Sequence, residues 1–167
     1  MWKISLFCVA ILVPNCLPAA EPVVPLPRAH AHNDYHHDVP LFDALRHGFC
    51  SVEADVFLVD GELLVGHSRD ELRPERTLEK LYLAPLKQRI AENGFRVYRD
   101  GPEFTLMIDF KNDGKNTYSA LQQLLKKYAG ILTQVTDGKV RRGAVTIVIS
   151  GDRPQVEIAA QSVRRVG

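Results

Sequence analysis

The chain has 167 residues, with 21 Lys and Arg against 20 Asp and Glu and a formal net charge of +1. A near-neutral surface without a basic stripe leaves no electrostatic footprint for nucleic acid. Three cysteines are too few for a disulfide scaffold, so stability has to come from an apolar core.

Residues 1–20, MWKISLFCVAILVPNCLPAA, combine an early Lys3, an apolar run of about ten residues and a small-residue end at Ala19 and Ala20. They read as a secretory signal peptide, because the run is well short of the ~20 residues that a membrane span needs. A lipoprotein reading through Cys16 is disfavoured, since Asn15 stands where a small residue is wanted. The remaining chain is expected to be exported, free of any transmembrane segment, and left with Cys50 as its lone cysteine. Residues 21–28, EPVVPLPR, read as a proline-rich extended lead-in. Residues 29–167 suit a single domain.

RAHAH reads as a first strand and VPLFDALRHG as a short helix stopped by Gly48. In FCSVEADVFLVDGELLVGHS two strands meet at Asp60-Gly61, a strong hairpin signal. The charged loop RDELRPERT leads to a helical pattern interrupted by Pro85 and closed at Gly94. FTLMIDFK is a strand, NTYSALQQLLKKYAG an amphipathic helix capped by Asn116 and ended by Gly130, and AVTIVISG a buried strand. Alternating strands and helices indicate parallel α/β architecture. About four β/α units are expected, whereas a closed (β/α)₈ barrel has eight. The expected fold is therefore the N-terminal half of a TIM-type (β/α) barrel, with exposed edges and little activity by itself.

Glu53 and Asp55, two apart on a predicted strand, project from one face. Two carboxylates in an apolar strand need a cation between them, for which a hard ion such as Mg²⁺ or Ca²⁺ is suited; the other reading is an acidic solvated face. Asp109 and Lys111 repeat the spacing in LMIDFKND, either as a structural ion pair or as a third carboxylate with a phosphate-facing ammonium. His67 follows a strand and a glycine, where it is either a rim hydrogen-bonding residue or, paired with a histidine of the first strand, half of an acid–base couple.

The ordered segments AHNDY, SVEAD, LLVGH and DFK resemble the phosphatidylinositol phospholipase C-like phosphodiesterases, which include glycerophosphodiester phosphodiesterases and sphingomyelinase D. They are most similar to the altered inheritance of mitochondria protein 6-like branch, over residues 30–151. The resemblance implies metal-assisted phosphodiester chemistry on a lipid or soluble substrate. By position it makes Glu53, Asp55 and Asp109 the metal ligands, Lys111 and Asn33 the phosphate contacts, and His67 and His32 the catalytic histidines, with His30 the alternate to His32. The sequence departs from the glycerophosphodiesterase pattern, with His-Asn-Asp in place of His-Arg-Gly and Asp109 in place of Glu.

A second reading is an amidohydrolase-like or polymerase-and-histidinol-phosphatase-like hydrolase, in which His30 and His32 bind Zn²⁺. A third makes HAHNDYHHD a metal-capturing loop of a secreted binding protein. The second lacks any histidine after His67 to complete such a site, and the third leaves Glu53, Asp55, Asp109 and Lys111 unexplained.

Overall fold

The computed structural model describes residues 22–166. The expected signal peptide lies outside them. No helix among the described residues is long and apolar enough to cross a membrane.

Four strands form a parallel sheet: β1 (Leu26–Ala31), β2 (Phe49–Val59), β4 (Phe104–Phe110) and β7 (Val145–Gly151), in the order β1-β2-β4-β7. β1 begins inside the proline-rich lead-in. β3 (Glu62–Val65) turns back antiparallel on β2, with Val59 opposite Glu62. The turn is Asp60-Gly61, with φ of 49° and 85°. Positive φ at both central residues matches the twist of the flanking strands, which is why Asp-Gly serves there.

The sheet has two unlike faces because side chains alternate along each strand. Val52, Ala54 and Val56 of β2, Leu106, Ile108 and Phe110 of β4, and Ile147 and Ile149 of β7 are buried together. Tyr118, Leu121 and Leu125 of α3 (Gly114–Lys126) and Leu86 and Ile90 of α2 (Ala84–Glu92) join that core. Burying each large aliphatic side chain contributes about 1.5–3 kcal/mol. The opposite face carries Ser51, Glu53 and Asp55, then Thr105, Met107 and Asp109, then Thr146, Val148 and Ser150, in register across three strands.

The expected half barrel of about four β/α units is corrected by the connections. β1 reaches β2 through α1 (Phe42–Arg46), barely more than one turn, and the helix after β7, α4 (Gln155–Ala159), has five residues. β5 (Gln134–Thr136), β6 (Lys139–Arg141) and β8 (Val163–Arg164) make a separate antiparallel sheet in the order β6-β5-β8. The fold is mixed α/β, a four-stranded parallel sheet with an antiparallel arm and a small second sheet. The second sheet escaped the sequence reading because its strands are short and mostly exposed, although Asp137-Gly138 repeats the hairpin signal, with φ of 48° and 77°.

Two helix boundaries also move. They are those of α3, since Pro85 interrupts its helical segment as expected: a π-helical turn, Glu79–Leu83, runs directly into α2, and Pro85 lies in the first turn after the change. α3 is capped by Asp113, whose side chain accepts from the Asn116 amide at 3.4 Å, and it ends at Lys126, short of Gly130. The Asp113 carboxylate also suits the positive end of the helix dipole.

Candidate active site

The polar residues gather where the parallel strands end. Asp55 and Asp109 are direct register partners on neighbouring strands, and Ser150 is the next partner on β7. Lys111, one residue past β4, reaches back between the two aspartates, its Nζ 2.8 Å from Asp55 Oδ2 and 2.7 Å from Asp109 Oδ2. Burial alone would push its ammonium pKa down, but hydrogen bonds to Asp109 and Asp55 and their negative charges outweigh that and hold it above the usual value. Ser150 Oγ donates to Asp109 Oδ1 at 2.6 Å, so both oxygens of Asp109 are engaged. Gly151 is required beside them: its φ is +71°, and a Cβ there would lie 2.4 Å from the Phe110 carbonyl and 2.9 Å from Asp109 Oδ1.

Asp55 is the hub and is 1% exposed. Its Oδ2 takes Lys111, the Tyr35 hydroxyl at 2.7 Å and His67 Nδ1 at 3.2 Å. Its Oδ1 is buried and has no hydrogen-bond partner among the described residues. Tyr35 OH also lies 3.0 Å from Asn33 Oδ1 and 3.4 Å from His67 Nδ1. The hydroxyl has one proton, and the shorter contact to a charged acceptor claims it, so Tyr35 donates to Asp55. Burial, then the hydrogen bond to Asp55 and the charges of Asp55, Glu53 and Glu71, push the phenol pKa far up and keep it a donor.

Glu53, two residues earlier on the same face, accepts from the Asn33 amide at 3.2 Å and faces His32 Nε2 at 3.2 Å. Asn33 can present its amide in this way because its backbone is left-handed, with φ of 49°. Its side chain is turned to Tyr35. His30 stands two residues further back, its Nδ1 2.8 Å from Ser51 Oγ. The structure therefore joins Glu53, Asp55, Asp109, Lys111, His32, His67 and Asn33 at one edge, and sets His30 behind it.

Two participants have no role in the sequence reading. Tyr35 stands in the quoted AHNDY, but nothing in the local pattern aims its hydroxyl at a residue 20 positions away. Ser150 was more accessible, because the alternation of VTIVISG puts it on the face opposite Ile147 and Ile149.

The donor set has features that a hard divalent ion would use. It is made of oxygens, Asp55 Oδ1 is unspent, and three carboxylates against one ammonium leave two negative charges. Lys111 occupies the position between Asp55 and Asp109, and among the described residues no three His, Cys, Asp or Glu side chains surround one point.

A family model described as the AIM6-like phosphodiesterase domain matches residues 19–166. Among curated proteins, altered inheritance of mitochondria protein 6 of Lachancea thermotolerans is 41% identical over 149 residues, covering 77% of this chain and 35% of that protein. Its homolog in Arthroderma benhamiae is 32% identical over 164 residues, covering 85% and 52%. The Saccharomyces cerevisiae protein of the same name is 35% identical over 168 residues, covering 84% and 42%. The chain thus spans about a third to a half of the length of these relatives. No solved structure matches it.

Proposed function

Because the chain belongs to the AIM6-like phosphodiesterase domain family, we propose that it cleaves phosphodiesters by histidine acid–base chemistry at the Glu53–Asp55–Asp109 edge. The observation that carries this reading is that His32 and His67 are each tied to a different carboxylate, Glu53 and Asp55, on one face of one strand. A strand rise of about 3.3 Å per residue sets those carboxylates roughly 6.6 Å apart along β2. The phosphoryl group would lie between the two imidazoles.

Asp55 accepts at Oδ2, so His67 presents a proton on Nδ1 and a free Nε2 lone pair to the site. One histidine takes a proton from an attacking water as the oxygen bonds to phosphorus. The bond from phosphorus to the leaving alcohol breaks, and the other histidine gives that oxygen a proton. Positioned proton transfer of this kind is worth ~10²–10⁴ in rate. Lys111 faces the non-bridging oxygens, and the substrate is a phosphodiester of a lipid or a soluble alcohol.

The surplus of two negative charges opposes an anionic substrate. Glu53, Asp55 through Oδ1, and Asp109 would hold Mg²⁺ or Ca²⁺, which when bound supplies neutralising charge and orients the phosphate. A panel of phosphodiesters assayed before and after EDTA tests both parts. Turnover and melting temperature should fall with EDTA and return with Mg²⁺ or Ca²⁺. Turnover and melting that ignore EDTA would eliminate the metal, and a panel without turnover would eliminate the phosphodiesterase.

A further inference from the structure

A second cluster of charge opens beside the hub. Tyr35 forms its back wall, and His36, His37, Glu71, Arg73 and Arg76 line a cavity of about 420 Å³. The balance of permanent charge is positive, two guanidiniums to one carboxylate. Glu71 is already engaged, its Oε2 accepting from the His67 amide at 2.8 Å and lying 3.6 Å from His36 Nε2. The His67 amide is the main reason its carboxyl pKa lies below the usual value.

The arginines are fixed without being neutralised. Arg76 Nη2 donates to the Tyr35 carbonyl at 2.6 Å, and Arg73 Nη1 to the Asp70 and Leu72 carbonyls at 2.8 Å each. Among the described residues neither guanidinium has a carboxylate within ion-pair distance. Asp70 feels the charge of Arg73 from further away, across solvent. A guanidinium has five donors in a planar fork, and these backbone bonds spend one nitrogen of each. What remains fits an oxyanion, held by two forks whose side chains are already oriented.

We infer that this cavity is a second anion subsite, which selects phosphodiesters carrying an additional phosphomonoester. The inference rests on the phosphodiesterase reading for its substrate, while the anion binding itself does not. The scissile diester lies at His32, His67 and Lys111, and the additional phosphate sits across Tyr35 between Arg73 and Arg76. One residue thus joins the two sites, its side-chain hydroxyl donating to Asp55 and its backbone carbonyl accepting from Arg76.

The test is a titration of the full chain with inorganic phosphate at fixed pH, followed through the histidine ring NMR signals. His36 and His37 should respond, with a Kd of ~1 mM or tighter. Arg73→Gln, which removes an exposed side chain bonded only to loop carbonyls, should weaken that response ~10-fold, and Arg73→Lys by less. A wild-type chain whose His36 and His37 ignore ~10 mM phosphate would overturn the inference. So would a response that Arg73→Gln leaves unchanged, or one confined to His32 and His67. In turnover, a diester bearing a terminal phosphomonoester should be preferred ~10-fold in kcat/KM over the same diester with a hydroxyl there, and Arg73→Gln should abolish the preference. Phosphate binding at His36 and His37 in a chain that cleaves no diester would refute the phosphodiesterase reading and leave the subsite standing.

Discussion

Replacing Tyr35 by Phe removes one oxygen from the centre of the site and leaves a buried ring to fill the same space. The lost contact is a 2.7 Å hydrogen bond to a carboxylate, a class worth about 1.5–3 kcal/mol. Asp55 Oδ2 keeps Lys111 and His67 as donors, so the carboxylate is not stranded and the low end, about 1.5 kcal/mol, applies. For a domain of this size that is ~3–6 °C in melting temperature. The catalytic effect is separable. Without the hydroxyl, Asp55 and the His67 ring it orients gain freedom, and a loss of about 1.4 kcal/mol of transition-state stabilisation is ~10-fold in kcat with KM little changed. The assay is steady-state phosphodiester turnover across pH 5–9 beside a thermal melt. Tyr35→Phe with wild-type kcat and an unshifted pH profile would show that the hydroxyl has no part in positioning His67, whatever the melt shows.

Asp34 offers a pH test of the loop that carries Tyr35. It is fully buried, accepts from the Leu41 amide at 2.5 Å and from Tyr82 OH at 3.0 Å, and has an Oδ1 unpartnered among the described residues; burial raises its pKa above 3.8 more than those bonds lower it. The folded chain then holds this proton to higher pH than the unfolded one, so the contribution to stability is full below 3.8 and is lost as pH rises through the raised value. The wild-type melting temperature should fall relative to that of Asp34→Asn as pH is raised from about 4, and parallel curves would contradict the sign. The two first-strand histidines separate in a second comparison: His32→Asn should cost ~10² in turnover and His30→Asn only a few-fold, with equal losses pointing to a joint role.

Much of this site was legible because strands project side chains with a strict period of two. Glu53 with Asp55 and Asp109 with Lys111 announced a shared face, and the register of β2 on β4 turns that shared face into contact. The choice between His30 and His32 was not legible, since the sequence offers both as strand-end histidines; β1 ends at Ala31, so His30 on the strand meets Ser51 while His32 in the turn beyond it meets Glu53. Tyr35 was hidden because its position depends on the left-handed turn at Asn33 and the burial of Asp34 beneath it. The half barrel was over-read for a related reason. Alternating apolar segments predict strands and helices, but not that α1 is barely more than a turn, nor that weakly apolar β5, β6 and β8 pair in a sheet of their own.

The most direct test of the account is the pH dependence of kcat/KM for phosphodiester cleavage, measured on the wild-type chain and on His67→Asn. Two histidines acting as base and acid predict a bell-shaped wild-type profile. In the variant the rate should fall ~10² or more and one limb should disappear, with the melting temperature little changed because the His67 side chain is 55% exposed. A variant that keeps the wild-type rate and both limbs would contradict the central claim that His67, held by Asp55, moves a proton in the reaction.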